Sequence, residues 1–321
     1  MSDHSPTVSI GIPIYNGADY LRVALDSIVA QTFEDFEIVI SDNASEDATP
    51  EICREYMARD SRIRYEHSDT NHGAAWNYNR VAEMARGKYF KWAAHDDWLA
   101  PTYIERCVEE LDTAGSAAAL VYPRTILICD DPAEREFYGG HRVRYEDRLD
   151  TRHPDPIRRL CHVPKHLDLC NPVMGLFSRE VLLRTGLIRP FSGSDVLLLS
   201  EISLLGEIHE IPEWLFYRRR HPRASRLQNS TTETVARWFS TDVANHRQDL
   251  LPPNARLLWE HLKLVWNSSL PWTGRIRGVI SYLGTRIVRR ARVIGGRYKR
   301  KLLGNTLAIR SQPDTQADVE G

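Results

Sequence analysis

Short apolar runs alternate with amphipathic stretches through the first part of the chain, up to about residue 115. The runs have the alternation typical of strands, whereas the segments between them repeat apolar residues at helical spacing, as at Leu21 and Leu25. The predicted strands are Val8–Ile14, Phe36–Ile40, Ile63–Glu66 and Tyr89–Trp92. This repeat predicts an α/β fold with a mainly parallel sheet, right-handed crossovers and flanking helices.

The pattern becomes less regular after this point. Ala118–Tyr122 is a predicted fifth strand, and two more strands are predicted at Glu207–Ile211 and Trp214–Tyr217. Residues 124–156 are mostly polar, so we expect a long loop or irregular excursion between them. Within a compact domain, a loop of that length often acts as a lid or a substrate-binding segment.

From about Asn229 onward the pattern is helical, and one stretch is amphipathic. An apolar stripe at helical spacing is flanked by ten Lys and Arg residues between Arg275 and Lys301; its members are residues 276, 280, 283, 287, 291, 294, 298 and 302. Such a basic helix, over residues 274–303, lies on an anionic membrane surface or packs its stripe on the main domain, and both interpretations stay open. The last dozen residues are expected to be disordered.

Composition changes this picture only through charge. The chain is 42% hydrophobic and 26% charged with a formal net charge of −1, as in an ordinary soluble protein. Residues 261–321, however, carry 12 Lys and Arg against 3 acidic residues, and no acidic residue lies between Glu260 and Asp314. This asymmetry favours an anionic partner, and we expect a membrane surface rather than nucleic acid because no nucleic-acid-binding motif accompanies the charge.

The five cysteines form no Cys-x-x-Cys motif, so we expect reduced thiols in a cytoplasmic protein. The first residues lack the apolar core of a signal peptide. No run approaches the roughly 18 apolar residues of a membrane span. Any membrane contact is therefore expected to be peripheral, at the inner face.

Polar clusters follow three predicted strands at the points where they end. They are Tyr15-Asn16, Asp42-Asn43 and His95-Asp96-Asp97. The carboxyl ends of parallel strands meet at one edge of a sheet, where α/β proteins bind ligands. Carboxylates there suit a hard divalent cation and, through it, a phosphate. The alternative is an ordinary Asp turn that caps the helix after Pro101.

These segments resemble family-2 glycosyltransferases. The resemblance is carried by Val8–Asn16, Gln31-Thr32-Phe33, Phe36–Ser45, Asn71-His72-Gly73 and His95-Asp96-Asp97 followed by Trp98–Pro101. It implies the GT-A fold, a Rossmann-like, mainly parallel mixed sheet flanked by helices. By this resemblance, residues 1–115 form the nucleotide-sugar-binding half, residues 116–228 the acceptor-binding half, and residues 229–321 a basic helical C-terminal extension with a disordered end.

The resemblance also implies a binding site for the donor. Asp42 would accept hydrogen bonds from the base, and Asp96 matches the metal-binding acid of the family's Asp-x-Asp motif, with Asp97 and His221 as further metal contacts to Mg²⁺ or Mn²⁺. The nucleotide-sugar site would comprise Pro13, Tyr15, Asn16, Asp42, Asn79, His95, Asp96 and Asp97. The sequence departs from the family pattern at Ala94-His95, where another acid is common, and at Tyr78, where many members have Arg.

Asp195 is the candidate catalytic base. Ser194-Asp195 resembles the family's Glu-Asp motif, with Ser194 in place of Glu. The resemblance implies that one carboxylate deprotonates an acceptor hydroxyl while it attacks the anomeric carbon, which inverts the configuration. The alternative for Asp195 is a helix N-cap before the apolar run that follows it. Arg218 and Arg219 would clamp phosphate or belong to a solvated basic strand end.

The resulting hypothesis is a metal-dependent, inverting glycosyltransferase. It would move a sugar from a UDP- or dTDP-linked donor to a carbohydrate or lipid-linked acceptor in cell-envelope or polysaccharide synthesis. A non-catalytic nucleotide-sugar-binding relative is the alternative. A nucleotidyltransferase is less favoured because the loop Tyr15–Asp19 has no basic residue, and a dehydrogenase is disfavoured because no Gly-x-Gly-x-x-Gly follows the first strand.

Overall fold

The computed structural model describes residues 5–224, 231–241 and 252–302, with side chains in the last helix described as far as Arg289. The strands are β1 (Val8–Ile14), β2 (Phe36–Asp42), β3 (Ile63–His67), β4 (Tyr89–Trp92), β5 (Trp98–Leu99), β6 (Ala118–Cys129), β7 (Arg142–Tyr145), β8 (Leu176–Ser178) and β9 (Glu207–Arg220). The helices are α1 (Ala18–Val29), α2 (Thr49–Arg59), α3 (Ala74–Met84), α4 (Tyr103–Ala114), α5 (Pro132–Tyr138), α6 (Pro156–His166), α7 (Arg179–Leu182), α8 (Ser194–Leu205), α9 (Thr232–Phe239), α10 (Pro253–Trp266) and α11 (Trp272–Leu302).

Within the described residues, the strands form one mixed sheet in the order β3-β2-β1-β4-β8-β6-β9-β5, with β7 added to β6. β1, β2, β3 and β4 are mutually parallel, β8 runs antiparallel to both β4 and β6, and β9 is parallel to β6. The predicted mainly parallel mixed sheet with flanking helices is confirmed. Both predicted halves belong to this sheet, and the boundaries at residues 115 and 228 stay predictions.

Pro13 lies near the carboxyl end of β1, beyond the part of β1 that pairs with β4. β1 is buried along its whole length, as expected for a central parallel strand. Its ladder with β4 stops at the pair Gly11 and Trp92, two residues before Pro13. Proline lacks the N–H that a central ladder needs, so it lies where β1 has kept only β2 as a neighbour.

The expected long loop over residues 124–156 is wrong over its first half. β6 continues through Pro123 to Cys129, α5 follows, and β7 returns to pair with β6. The sequence pattern misleads here because Pro123 appears to end the strand. In the structure, the register against β9 shifts on both sides of Arg124, and this irregularity accommodates the proline within a continuing strand. β9 is likewise one strand rather than the two expected.

The C-terminal helix α11 packs on α6 and α10 through one face only. Tyr282 is fully buried there against Val265 of α10 and Leu160 of α6. The predicted stripe points the other way, since Ile280 is 66% and Ile287 is 69% exposed. Packing of the stripe on the main domain is therefore wrong for the described side chains. The stripe positions 291–302 and the expected disordered end lie outside the described side chains and residues.

No helix in the described part of the chain is both long enough and apolar enough to cross a bilayer.

Candidate functional site

The turn that follows β4 is held by residues from the end of β9. Asp96 Oδ2 lies 3.0 Å from Nε2 of His221, the residue directly after β9. Asp97 Oδ1 accepts a hydrogen bond of 2.9 Å from the backbone N–H of Arg219. These contacts join segments more than 120 residues apart in the chain. The turn is therefore a fixed part of the fold, and the simpler interpretation of a cap for the following helix does not describe it, because α4 begins only at Tyr103 without a side-chain cap.

The surroundings of Asp96 favour its ionised form. Burial by itself raises the pKa of this carboxyl, but the hydrogen bond with His221 and the nearby imidazole of His95 outweigh burial and hold the pKa of Asp96 below its ordinary value. A carboxylate stays available there for a cation at neutral pH.

Asp97 has the opposite electrostatic environment. Burial, together with the negative charge of Asp96, raises the pKa of Asp97 to about 7. The guanidinium of Arg218 and the N–H of Arg219 limit this rise. Asp97 thus has less tendency to carry charge than Asp96, and its hydrogen bond to β9 suits a group that positions the turn.

Arg219 encloses the same turn from the β9 side. Its Nη1 lies 2.7 Å from Asp130 Oδ2, and its Nε donates to the carbonyl oxygen of Asp96 at 3.3 Å. The guanidinium also lies over the rings of Tyr20 and Trp98, at 4.8 and 4.9 Å from their centroids. The interpretation as a solvated strand end is wrong for Arg219.

Arg218 belongs to a polar network with buried Asn171 and Asp147, and its charge also reaches Asp97. It donates to Asn171 Oδ1, and Asn171 Nδ2 in turn lies 3.0 Å from both carboxylate oxygens of Asp147. Thr125 donates to Asp147 as well, at 3.2 Å. Burial nevertheless raises the pKa of Asp147 to about 7. Arg218 is therefore held inside the fold by amide and carboxyl groups, and the solvated interpretation is wrong for it too.

Tyr78 connects Asp195 with this turn. Burial raises the pKa of the Tyr78 hydroxyl, and the negative charges of Asp96, Asp97 and Asp195 all raise it further. The Tyr78 hydroxyl therefore lies within electrostatic range of all three carboxylates, although Asp195 is far from the other two in the chain.

Asp195 is not the N-cap of its helix. α8 begins at Ser194 after Gly193, whose φ of +89° suits glycine, and Asp195 lies within the first turn. Its carboxylate interacts with the thiol of Cys170, whose pKa is raised by burial and by this negative charge. The N-cap interpretation is therefore wrong, since Gly193 holds that position; the Asp195 carboxylate accepts a hydrogen bond of 2.9 Å from the N–H of Val196 and interacts with the Cys170 thiol.

Asp42, the predicted base-binding acid, is fully buried and already has partners. Its Oδ1 accepts from the N–H of Ser45 at 2.9 Å, and its Oδ2 accepts from the Tyr65 hydroxyl at 2.7 Å. His67 Nδ1 lies 3.2 Å from the same Oδ2. A base would have to share or replace one of these partners, so the role of Asp42 stays a prediction with Tyr65 and His67 as added candidates.

The end of β1 presents Tyr15 and Asn16 at the surface. Asn16 adopts a positive φ of 49°, and its side-chain oxygen accepts from the N–H of Glu46 at 2.8 Å. His95 packs over Gly17, where an added Cβ would lie 2.7 Å from the imidazole ring. The predicted members of the β1 and β4 ends are thus neighbours, and their contacts with a donor stay predictions.

Asn79 forms two hydrogen bonds with the backbone of Ile188, 109 positions later in the chain. Its amide nitrogen donates to the carbonyl of Ile188, and its oxygen accepts from the N–H of the same residue, both at 2.9 Å. The two bonds fasten α3 to the segment before α8. The predicted contact of Asn79 with the donor stays a prediction, and its observed contacts are with this backbone.

The donor set can be tested against a divalent metal ion. Asp96 and His221 offer one carboxylate oxygen and one imidazole, and the buried Nδ1 of His221 has no hydrogen-bond partner. Within residues 5–224, 231–241 and 252–302, no three His, Cys, Asp or Glu side chains converge to form a complete cage. Two protein ligands fit Mg²⁺ or Mn²⁺, which commonly keep waters and bind substrate phosphates for the rest.

Sequence reasoning overlooked several residues around this site. Tyr65 and His67 carry no motif, and the alternation of β3 is the one signal that could have placed them beside Asp42. Arg219 was considered for phosphate, but its contact with the aspartate turn depends on the pairing of β5 with β9. Cys170 beside Asp195 had no signal in the sequence.

Comparison with known proteins gives the family. Residues 9–182, more than half of the chain, match the model described as "Glycosyl transferase family 2". EpsH of Bacillus subtilis is 36% identical over 135 residues, which cover 42% of this chain and 36% of that protein. An uncharacterized glycosyltransferase of Rickettsia typhi is 38% identical over 149 residues, or 46% of this chain and 45% of that protein. The chain thus spans less than half the length of these relatives.

Solved structures show the same fold at low sequence identity. Residues 1–349 of Staphylococcus aureus TarS, in complex with UDP-GlcNAc, superpose with a TM-score of 0.61 and 13% identity, covering 88% of this chain and 73% of that one. The mannosyltransferase PcManGT of Pyrobaculum calidifontis, in complex with GDP-Man and Mn²⁺, gives 0.52 and 17%, covering 93% and 81%. The predicted GT-A fold is confirmed. The family model and the sequence relatives, with the fold in agreement, place the chain in glycosyl transferase family 2.

Proposed function

We propose that this protein transfers a sugar from a nucleotide-diphosphate sugar to an acceptor hydroxyl with inversion at the anomeric carbon. The proposal rests on the turn that holds Asp96 against His221 at 3.0 Å, with the three carboxylates of Asp96, Asp97 and Asp195 all near enough to raise the pKa of Tyr78. Two of them belong to the turn after β4 and the third to α8. Such a grouping offers both an anionic anchor and a separate base at one sheet edge.

The donor is a nucleoside diphosphate carrying a sugar, with UDP or dTDP as the favoured nucleotide. TarS is described in complex with UDP and UDP-GlcNAc, and PcManGT in complex with GDP-Man. These complexes support the class of donor, and the choice between nucleotides belongs to the proposal. The nucleoside would lie at the ends of β1 and β2, where Tyr15 is exposed and Asp42 meets His67.

Asp96 and His221 would hold Mg²⁺ or Mn²⁺, which, when bound, neutralises charge on the departing diphosphate. Asp97 would keep the turn in place through its bond to the Arg219 N–H. Arg219 itself is already engaged by Asp130 and by the Asp96 carbonyl. We assign it the role of bracing the turn rather than that of clamping phosphate.

Asp195 would act as the base. Its carboxylate takes the proton of the acceptor hydroxyl while the oxygen forms its bond to the anomeric carbon. The bond from that carbon to the diphosphate oxygen breaks on the opposite face, and the electron pair leaves with the diphosphate. Attack from the face opposite to the leaving group inverts the configuration. Tyr78 stays protonated at neutral pH, because burial and three carboxylates raise its pKa, and it can donate a hydrogen bond within the site.

The acceptor is proposed to be a carbohydrate or lipid-linked glycan of the cell envelope. Support comes from the basic C-terminal extension, which has no acidic residue between Glu260 and Asp314. A cytoplasmic position at the inner membrane face is part of the same proposal.

A screen of nucleotide sugars tests the function. The full chain is incubated with each donor and Mn²⁺ or Mg²⁺, and release of nucleoside diphosphate is followed with and without chelator. We expect one class of donor to be turned over, and the release to stop with chelator. Calorimetric binding of a donor without any release, in the presence of cell-envelope glycan acceptors, would favour the non-catalytic alternative instead.

A further inference from the structure

The exposed face of α11 carries a row of large apolar side chains. Trp272 is 72% exposed at the start of the helix, and Ile280 and Ile287 are each more than 60% exposed. Ile276 and Leu283 lie between them and are also exposed. Spacings of three and four residues put these side chains on one helical face, which we call the outer stripe. Isolated apolar residues are ordinary on a protein surface, but a continuous row of this kind marks an interaction site.

The helix cannot turn this stripe inward, because its opposite face is already packed. Gly278 lies so close to α10 that an added Cβ would meet Val265 at 2.7 Å. Tyr282 is fully buried, and its ring stacks on His261 at 4.7 Å between centroids. Arg277 pairs with Asp155 at the start of α6 at 2.7 Å. These contacts fix the rotation of α11 on the fold, so the outer stripe faces outward in a defined direction.

The charge around the stripe has one sign. Ten Lys and Arg residues lie between Arg275 and Lys301, and the helix α11 has no acidic residue. An apolar row within a basic helix has the composition of a surface-lying amphipathic helix. Tryptophan at its start fits such a surface as well, because the indole ring favours the boundary between headgroups and acyl chains.

We propose that the outer stripe docks this protein on an anionic lipid surface, with α11 lying in the plane of the membrane. A second copy of the chain is the competing occupant. Stripe-to-stripe pairing would bring two strongly basic helices together, and their charges would repel each other. Anionic headgroups instead complement the same charges. The rigid contact of α11 with α6 and α10 would then hold the sheet at a fixed orientation to the lipid. This inference does not depend on the proposed reaction.

Vesicle co-sedimentation tests the proposal with the full chain. Vesicles of phosphatidylcholine mixed with phosphatidylglycerol are compared with vesicles of phosphatidylcholine alone, at low and raised ionic strength. We expect binding to the anionic vesicles that weakens with salt. The double variant Ile280→Gln/Ile287→Gln, which leaves charge unchanged, should lose binding by at least about tenfold, because two apolar side chains no longer enter the lipid boundary.

The control is Val23→Gln/Phe137→Gln, which removes two exposed apolar side chains elsewhere, on α1 and α5. It should bind vesicles like the unchanged chain, and Ile287→Trp should bind at least as well. Equal binding by both double variants overturns the proposal, as does absence of binding to anionic vesicles by the unchanged chain. A stripe-dependent dimer in sedimentation velocity, without vesicle binding, would assign the stripe to a second copy and also overturn it.

Discussion

The imidazole of His221 lies 3.0 Å from the carboxylate of Asp96, and this contact joins the end of the last strand to the turn after β4. The two side chains lie 125 positions apart in the chain, and in the proposed metal site they would supply one oxygen and one nitrogen ligand. His95 adds a nearby imidazole that favours the ionised carboxylate. The contact favours the ionised form of Asp96 and fixes its orientation, which suits the cation-binding role that we propose for it.

Asp96→Asn should abolish most transfer while the fold survives. The amide keeps its size and can still accept a hydrogen bond from His221, but it loses the negative charge that holds the cation. We expect donor turnover to fall by at least about a hundredfold, since a bound metal contributes several kcal/mol to the transition state. Mn²⁺ binding, followed by electron paramagnetic resonance, should weaken in parallel.

Asp168→Asn is the matched control, because that side chain is 81% exposed. It should keep both turnover and Mn²⁺ binding. Full turnover in Asp96→Asn with undiminished Mn²⁺ affinity would remove Asp96 from the metal site.

Asp195→Asn should separate chemistry from donor binding. Loss of a general base lowers the rate by about 10²- to 10⁴-fold, whereas the donor is held at the other carboxylates. Turnover of the donor in the presence of acceptor is the first measurement, and calorimetric binding of the donor is the second. We expect the first to collapse and the second to stay unchanged. If the rate stays normal, the base is a different group.

His261 should make the docking of the C-terminal helices sensitive to acid. Burial lowers the pKa of His261 to about 4, from an ordinary value of 6.5. The unfolded chain therefore binds a proton between pH 6.5 and 4 that the folded chain does not, so the free energy of unfolding falls as the pH falls through this window. The loss approaches about 3 kcal/mol at pH 4, at about 1.4 kcal/mol for each unit of pKa. Charged neighbours that act on this imidazole are Arg286, Arg189 and Glu260.

Chemical denaturation at pH 7 and pH 4 measures this effect in the unchanged chain and in His261→Phe. In the neutral ring Nδ1 donates to the Leu257 carbonyl at 2.7 Å, so Nε2 accepts from the Ser200 hydroxyl at 2.9 Å. The variant keeps a ring to stack on Tyr282, and Ser200 can donate to the carbonyl of Val196 instead, at 2.9 Å. We expect a smaller loss of stability with acid in the variant. The same loss in both proteins would show that His261 does not titrate in the folded state as expected.

Lys91 should make stability rise with pH as His261 does, but in an alkaline pH range. It is fully buried under the rings of Tyr103 and Phe216, and burial lowers its pKa to about 7 from 10.5. Between pH 7 and 10.5 the unfolded chain binds the additional proton, so stability rises with pH by up to about 1.4 kcal/mol for each pH unit.

Lys91→Met should remove this slope and leave the protein at least as stable at pH 7. The carbonyl of Met174, which accepts from Lys91, keeps a hydrogen bond of 2.8 Å from the Tyr103 hydroxyl. An apolar side chain of similar length also avoids the cost of burying an ammonium group. Urea denaturation at pH 7 and 9 provides the comparison. A large loss of stability at both values would mean that the ammonium is needed in the folded state.

The sequence predicted those features that depend on local periodicity. The first four strands lie where the alternation of apolar and polar residues predicted them. The polar groups after β1, β2 and β4 lie at one edge of the sheet because parallel strands end on the same side. The resemblance added the GT-A fold and the choice of Asp96 and Asp195. The end predicted for the fifth strand before Pro123 was wrong. Proline is usually excluded from strands, but the irregular register of β6 against β9 accommodates it here.

Features that depend on packing were beyond the sequence. The orientation of the apolar stripe of α11 depends on Gly278 and Tyr282, on the opposite face of the helix. Gly278 allows close approach to α10, and the Tyr282 ring is buried between α6 and α10. The bond between Asp97 and Arg219 needs β5 to pair with β9, a contact over 122 positions of the chain that has no local signal.

The antiparallel strand β8 covers the edge of β4 although it is synthesised more than 80 residues after it. Phe177 of β8 pairs beside Phe90 of β4, and its ring lies 5.4 Å from that of Trp92. Until residues 176–178 have left the ribosome, β4 exposes an unpaired edge and Trp92 has an open flank. Excision at residue 115 would therefore leave one edge of β4 without its neighbour, because the strand that covers this edge comes from the second half of the sheet.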